Sequence, residues 1–484
     1  MALANIRLRW YYSLLFALCI VIINPFESII RKLINDIDGT VLMDRYFIWT
    51  LPKQMILVLI CVSNLCVILR ARRSESTSNT RPSIHWVIFL FLWLAFFGWY
   101  GLSIWTNDFH IVSFSGLASM GSGAVFYFLM AVFSLSNAYA LRCRPDIFQG
   151  QIRGILAGCI ALALSIFPQA INWRIDYTVT SGRELAPTIL VSGIHRIQTP
   201  IGFFSHRGYA AFVLAFGCVL NMVVMAGKRE KIPAHALYNL LISTALFFTK
   251  TRGPIIAAIA GIVLVFCRVA RDADRRRVFL VYGVSIFLCG FLIQRAMQMV
   301  PTFHFRKMPA IENVNEFTSS RSRLWKLGIK AILRKPVLGW AGEGFGTAFP
   351  YVADWQGTEA YYFPETTGFK SVLRYYKNNI FEYIDSQNNR TYGYLPTYRA
   401  HNIAIDLAVL TGIPGMLMYF SIVGFCLWLL YKKGMMTGIG ALGLVYLVFC
   451  ITWFEATQYS YLGWWALSSG VGAVKETNDW TDEI

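Results

Sequence analysis

The sequence predicts an all-α polytopic membrane protein with about 12 transmembrane helices. Of its 484 residues, 56% are hydrophobic and only 14% are charged, whereas soluble proteins carry about a quarter charged residues. Apolar runs of about 20 residues, which is the length that crosses a hydrocarbon core, recur along the chain. The 15 Trp and 24 Tyr residues fit a chain with many side chains at membrane interfaces.

The apolar runs predict twelve spans, at 10–26, 49–69, 84–105, 116–140, 153–171, 207–227, 235–250, 254–270, 278–296, 412–431, 435–453 and 458–474. A long polar and aromatic segment separates the ninth span from the tenth. The predicted organisation is therefore transmembrane helices 1–9 over residues 1–296, a loop domain with an interfacial helix over 297–411, and helices 10–12 with a tail over 412–484. The aromatic content of the loop indicates a folded domain, because disordered linkers contain few aromatic residues.

Basic residues predict the orientation of the spans. They cluster in alternate short loops, and the positive-inside rule assigns such loops to the cytoplasm. Both termini are then cytoplasmic, and the large loop lies on the outer side. The basic residues that support this orientation are Arg70, Arg72, Arg73 and Arg81; Arg142, Arg144 and Arg153; Lys228, Arg229 and Lys231; Arg268, Arg271, Arg275, Arg276 and Arg277; and Lys432 with Lys433.

Several basic side chains are predicted to lie at the outer ends of the spans. His206 and Arg207 precede the sixth span in IGFFSHRGYAA. Lys250 and Arg252 lie in the tight turn between the seventh and eighth spans, in FFTKTRGPIIAAIAG. An isolated interfacial arginine often only extends toward the headgroups, so each of these residues alone is weak evidence for a site.

The large loop adds more polar groups on the same side. In SSRSRLWKLGIKAILRKP, the apolar spacing predicts an amphipathic helix with Arg321 and Arg323 in its first turn. In TYRAHNIAIDLAVLTGIPGM, His401 and Asn402 precede a short predicted helix that carries Asp406 and ends at a bend. Arginines bind phosphate through paired, charge-assisted hydrogen bonds. Four distant stretches that bring cations and an imidazole to one face therefore predict an anionic substrate there.

Two other features have open interpretations. The glycine-rich stretch VLGWAGEGFG could cradle phosphate oxygens, or it could form a tight turn against the membrane face. The ten cysteines fall in spans or near the cytoplasmic side, so a disulfide framework is not expected. No CxxC or HExxH zinc spacing occurs in the sequence, and no metal site is predicted from such motifs.

The chain resembles the O-antigen ligase and O-antigen polymerase superfamily over about residues 200–430. The matching stretches are GFFSHRGYAAFVL, FFTKTRGPIIAAIAG, SSRSRLWKLGIKAILRKPVLGWAGEGF and AHNIAIDLAVLTGIPGMLMYF. The resemblance implies a membrane glycosyltransferase of the GT-C type in the bacterial inner membrane, with its active site in the periplasm. It also implies an undecaprenyl-pyrophosphate-linked glycan as donor, a lipid A–core or a glycan as acceptor, contact with membrane lipids, no nucleic acid and no cofactor.

The resemblance also implies residue roles. Arg207 and Arg252 match arginines that hold the donor pyrophosphate, Arg321 matches the arginine of the loop helix, and His401 matches the histidine that acts on the acceptor hydroxyl. The first motif departs from the usual family pattern, which has Asn after or in place of the arginine. Such enzymes need no metal. Possible supporting residues are His206, Lys250, Arg323, Asn402 and Asp406.

The leading functional hypothesis is an O-antigen ligase that transfers the lipid-linked polysaccharide to lipid A–core with inversion. Alternatives are a polymerase with the same donor, a protein O-oligosaccharyltransferase and, outside the enzymes, a transporter or flippase. A transporter usually places polar residues near the middle of the membrane, whereas these lie at its edge. Asp36 and Asp38 in NDIDG have the spacing of a DxD metal motif, although a polar turn closed by Gly39 explains them as well.

Overall fold

A computed structural model gives the architecture of the chain. It describes residues 2–24, 49–73, 81–108, 110–116, 123–170, 200–227, 232–299, 321–357, 359–363, 368–376 and 380–472. Asp36 and Asp38 lie outside these residues, as do two further histidines of the outer loops, His195 and His304, for which the sequence predicts only a surface or structural role.

Helices make up most of the described chain. They are α1 Ala2–Val21, α2 Leu51–Arg73, α3 Ile84–Trp105, α4 His110–Ser115, α5 Ala124–Cys143, α6 Ile147–Ala170, α7 Arg207–Gly227, α8 Ile232–Phe248, α9 Arg252–Val269, α10 Ala273–Val278, α11 Ile286–Gln298, α12 Arg321–Arg334, α13 Phe345–Val352, α14 Ile403–Lys432, α15 Ile439–Ile451 and α16 Thr457–Gly472. A π-helical stretch, Phe279–Ser285, joins α10 to α11, and a single 3-10 turn covers Ala360–Tyr362.

The helices fit a polytopic membrane protein. Within the described residues, eight helical stretches are long and apolar enough to cross a membrane, and α8 and α15 are shorter apolar helices. Each of the twelve predicted spans overlaps a helix, and the predicted bounds 84–105 and 207–227 are those of α3 and α7. The count of twelve spans stays a prediction, as does the side of the membrane that each end faces.

The α7 helix is the centre of the helical bundle. It is buried from Gly208 to Ala226 and packs against α6, α8, α9, α15 and α16. Small residues permit such close contacts elsewhere in the bundle. In α6, a Cβ at Gly150 or Gly154 would lie 2.3 Å from a carbonyl oxygen of α1. Glycines four residues apart therefore let α1 and α6 pack backbone to backbone, as small residues often do in membrane helices.

The expectation of an all-α fold is wrong for the large loop, which contains a three-stranded antiparallel sheet. The strands are β1 Phe369–Tyr375, β2 Ile380–Asp385 and β3 Arg390–Tyr394, in the order β1-β2-β3. Buried positions alternate along β2, in IFEYID, which is the strand period. The sheet, α12 and α13 share a hydrophobic core, and we call residues 321–402 the sheet segment.

The predicted bend after the short helix is confirmed. In α14, Gly412 has φ 74° and ψ 173°, so the helical backbone is interrupted there. The glycine-rich loop packs directly against this interruption, because a Cβ at Gly412 would lie 1.9 Å from the carbonyl oxygen of Val337. Trp340 and Ala341 donate their backbone N–H groups to the carbonyls of Val409 and Leu410 at 2.8 and 2.9 Å. The loop is thus a tight turn, and these two N–H groups are already used by the protein.

Candidate functional site

The indole of Trp453 is where three of the predicted site residues meet. Trp453 lies between α15 and α16 and is 7% exposed. The ring centroids of His206 and His401 lie 5.2 and 5.1 Å from its centroid, and the guanidinium carbon of Arg321 lies 4.6 Å above its ring. Three stretches far apart in sequence therefore converge on one side chain. The buried indole N–H of Trp453 has no hydrogen-bond partner among the described residues.

The start of α7 brings His206 to this indole. Gly208 lies two residues later, and a Cβ there would lie 3.0 Å from Cζ2 of Trp453, so a larger residue would crowd the ring. The backbone N–H of Gly208 donates to Nδ1 of His206 at 2.9 Å. Since Nδ1 accepts this bond, His206 is neutral here and carries its proton on Nε2. It caps the helix through one nitrogen and packs on Trp453 through its ring.

Arg207 and Arg321 place two positive charges near each other. Burial, and then the charge of Arg207, lower the pKa of Arg321 to about 10. Arg321 remains protonated at neutral pH, but its surroundings oppose its charge. Like charges that are held together in a partly buried place favour a bound anion, because the anion removes their repulsion.

The start of α9 lies beside the same segment. A Cβ at Gly253 would lie 2.8 Å from Oγ1 of Thr452, the residue before Trp453. The backbone that follows Arg252 therefore lies beside the residue that precedes Trp453. Lys250, two residues earlier, is 8% exposed and adopts φ 51°, a left-handed conformation that forms the tight turn into the helix.

His401 is held in one tautomer. Its Nδ1 lies 3.1 Å from the carbonyl oxygen of Arg399, and because a carbonyl can only accept, Nδ1 carries the proton. Nε2 then has a lone pair that can accept a proton from a substrate. Burial, followed by the positive charge of Arg321, lowers the pKa of His401 from 6.5 to about 4. The imidazole is neutral at pH 7 and can act as a base.

Asn402 and Asp406 fix the backbone on both sides of His401. The side-chain oxygen of Asn402 accepts from the backbone N–H groups of Ala404 and Ile405 at 3.0 and 3.2 Å, which caps α14. Its amide nitrogen donates to the carbonyl of Ile451 at 3.0 Å. The Asp406 carboxylate accepts from the backbone of Ala400 at 2.7 Å. These contacts hold His401 at φ 60°, which a non-glycine residue rarely adopts.

Arg323 points to a different partner from its neighbour Arg321. Its guanidinium lies 2.7 Å from Oε1 of Glu359. The other carboxylate oxygen of Glu359 accepts from the backbone N–H of Asp354 at 3.0 Å. The structure therefore brings Arg321 to Trp453, while Arg323 ties α12 to the loop after α13.

Three groups near the site were not predicted from the sequence. One is Trp453 itself. The second is the pair of Arg399 and Glu343, whose side chains are 3% and 1% exposed and lie 3.1 Å apart. The third is Glu455, whose carboxylate accepts from the hydroxyls of Tyr419 and Tyr446.

Burial raises the pKa of the Glu455 carboxyl above its ordinary range, although the two tyrosine hydroxyls oppose this. A signal for Glu343 and Glu455 was present in the sequence, since each is an isolated acid in an apolar or glycine-rich stretch. Acids in such places are rarely buried without a partner.

One comparison with known proteins gave a family match. Residues 237–420 match a family model described as O-antigen ligase. The matched region contains Arg252, Arg321 and His401, whereas Arg207 and Trp453 lie outside it. A comparison with curated proteins gave no match.

Proposed function

We propose that this chain, which belongs to the O-antigen ligase superfamily through its residues 237–420, is an O-antigen ligase. It transfers a polysaccharide from an undecaprenyl-pyrophosphate carrier to lipid A–core at the periplasmic face of the bacterial inner membrane. The observation that carries this proposal is the convergence of Arg321, His206 and His401 on Trp453, with Arg207 beside Arg321. Cations and a neutral imidazole in one place suit an anionic leaving group and a hydroxyl nucleophile.

The proposed reaction is a single displacement at the anomeric carbon. Nε2 of His401 takes the proton of an acceptor hydroxyl as that oxygen forms its bond to C1 of the donor sugar. The bond between C1 and the pyrophosphate oxygen breaks, and its electron pair leaves with the pyrophosphate. Arg207, Arg252 and Arg321 stabilise the charge that develops on this leaving group. One displacement inverts the configuration at C1.

The proton position on His401 supports this role. The hydrogen bond from Nδ1 to the carbonyl of Arg399 leaves Nε2 free to accept. A bound pyrophosphate would offset the positive charge of Arg321, which is one cause of the lowered pKa of His401. We infer that binding of the donor raises the basicity of the imidazole, so that the base becomes stronger when the leaving group is in place.

The test is complementation of a strain that lacks this chain, with glycans examined both on the lipid carrier and at the cell surface. His401→Gln and Arg252→Ala should leave polymerised glycan on its carrier and none on lipid A–core. Loss of the polymer itself would favour a polymerase, and loss of glycan from proteins alone would favour a protein O-oligosaccharyltransferase.

His85→Gln is the matched control, because His85 also packs against aromatic rings, Phe425 and Trp428, but lies at the other end of α3 from the sheet segment. It should complement fully. Full transfer by His401→Gln would contradict the base role. In the same assay, activity that survives EDTA would support transfer without a metal and dismiss a metal role for Asp36 and Asp38.

A further inference from the structure

The outward face of the three-stranded sheet carries tyrosine rings and arginine side chains next to each other. Antiparallel register aligns Arg374, Glu382 and Tyr392 in one row across the three strands. A neighbouring row pairs Ile380 with Tyr394. Alternate residues of a strand point to the same face, so both tyrosines of β3 lie on the outward side.

The inward face shows why these residues must point outward. Val372, Phe381 and Tyr383 are buried in the core of the sheet segment. Gly393 stands between the two tyrosines of β3, and a Cβ there would lie 2.3 Å from the ring of Phe381. Since the inward side of β3 is filled by that ring, Tyr392 and Tyr394 remain 57% and 55% exposed.

Aromatic rings and positive charges are interleaved on this face. The rings of Tyr376 and Tyr392 lie 6.3 Å apart, and the guanidinium carbon of Arg374 lies 5.2 Å from the ring of Tyr376. The side chain of Arg390 is 77% exposed and lies 3.9 Å from Glu382, the limit of an ion pair.

Positive charge exceeds negative charge on this face. Among the described residues of the three strands, Arg374 and Arg390 lie on the outward face with one carboxylate, Glu382, which already accepts from the hydroxyl of Tyr376 at 2.9 Å. The carboxylate is 13% exposed, so it offers little to a ligand. The face therefore suits a ligand that carries negative charge.

The sheet is part of the same packed unit as His401. Leu395, Tyr398 and Ala400 follow β3 and lie in the core that the inward face of the sheet forms. The carbonyl of Tyr398 accepts from the backbone N–H of Gly346 at 3.1 Å, which joins this connection to α13. By contrast, Arg207 and Arg252 begin helices of the bundle. The outward face therefore belongs to the same packed unit as His401, the residue proposed to activate the acceptor.

We propose that this outward face binds the acceptor as an acidic saccharide, that is, a sugar chain bearing phosphate groups. The proposal rests on the ligase function proposed above and adds an acceptor subsite to it. Tyrosine rings present flat apolar surfaces to the C–H faces of pyranose rings, and tyrosine loses little side-chain entropy on binding. Arg374 and Arg390 would pair with the acidic groups through charge-assisted hydrogen bonds.

The experiment measures binding of core oligosaccharide freed of lipid, with its phosphates intact, to the purified full chain in detergent by titration calorimetry. Tyr392→Ala combined with Tyr394→Ala should weaken binding by about tenfold or more, as loss of an interface anchor does. Tyr392→Phe combined with Tyr394→Phe keeps both rings and should bind like the parent. Unchanged affinity in the alanine pair would overturn the proposal.

Charge is tested separately with dephosphorylated oligosaccharide. Arg374→Gln combined with Arg390→Gln should weaken binding of the phosphorylated form and leave the dephosphorylated form unaffected. Equal loss for both forms would overturn the acidic-saccharide assignment. The donor glycan is a second source of such saccharides, so its repeat units, freed of lipid, are titrated in the same way. If they bind at this face and the core oligosaccharide does not, the assignment to the acceptor is wrong.

Failure of this proposal can be told apart from failure of the proposed function. His85→Gln, at the other end of α3 from the sheet segment, should bind the oligosaccharide like the parent and is the control for this assay. If His401→Gln keeps full transfer in the complemented strain while the tyrosine variants lose binding, the catalytic assignment fails and the saccharide surface stands. If His401→Gln loses transfer and the Tyr392→Ala, Tyr394→Ala pair binds like the parent, only the surface proposal fails.

Discussion

Two arginines near His401 have opposite surroundings. Arg399 is 3% exposed and lies 3.1 Å from the equally buried Glu343. Burial opposes its charge, but Glu343 together with Tyr127, Asp406 and Tyr100 outweighs burial, and the pKa of Arg399 is raised above its ordinary range. Arg321 lies over Trp453 near Arg207, and burial and that neighbour lower its pKa. One charge is neutralised by the protein itself, and the other is held where a substrate anion would stabilise it.

Removal of the compensated arginine should have the largest effect on folding. Arg399→Met leaves Glu343 buried without its partner, which we expect to destabilise the protein by about 3–5 kcal/mol. The measurement is the thermal unfolding midpoint of the purified chain in detergent. Combined with Glu343→Leu, the same substitution should recover most of the lost stability, because an apolar pair can replace a buried ion pair. A stable Arg399→Met single variant would contradict the structural role of this pair.

Arg321→Met, by contrast, should reduce transfer activity and leave the stability of the protein nearly unchanged. We expect transfer from the lipid-linked donor to fall by about 10²–10³-fold, as when one group that stabilises developing charge is removed. Stability should change by less than about 1 kcal/mol, since among the described residues no buried carboxylate is left without its partner. Arg334→Met, at the other end of α12, is an exposed control that should keep its activity. If Arg321→Met unfolds as readily as Arg399→Met, the distinction between the two arginines fails.

The protonation of His401 offers a way to sharpen the comparison. With a pKa of about 4, the imidazole should stay neutral and reactive toward diethyl pyrocarbonate well below pH 6. In Arg321→Met, the loss of a nearby positive charge should raise the pKa of His401, so labelling should decline at a higher pH. Peptide mass spectrometry of the modified His401 reports this directly and does not require activity. A labelling profile unchanged by Arg321→Met would show that the two groups are not coupled.

Local sequence patterns predicted much of the bundle. Residues 84–105 and 207–227 form helices with the predicted bounds, and the interruption at Gly412 was expected from the glycine and proline that follow the short helix. These features depend on hydrophobicity and backbone preference, which short windows of sequence contain. The sheet was missed because strands of five to seven residues within a mixed loop give a weak pattern.

The centre of the site could not be predicted in the same way. Trp453 resembles any interfacial tryptophan at the end of an apolar run, and its contacts with His206, Arg321 and His401 are long-range. The pairing of Arg399 with Glu343 is hidden for the same reason, because no local pattern links residues 56 positions apart. The charged groups are visible in the sequence, but their partners depend on long-range packing.

The smallest expected effect tests whether Asn402 acts only through the backbone. Asn402→Ala removes the cap of α14 and should destabilise the protein by about 1 kcal/mol. Asn402→Ser keeps a capping oxygen but loses the bond to the carbonyl of Ile451, so its unfolding midpoint should be intermediate. Transfer activity, measured on the same samples, should follow stability across the parent, serine and alanine variants. A loss of transfer far larger than the loss of stability would mean that Asn402 contacts substrate, as His401 is proposed to do.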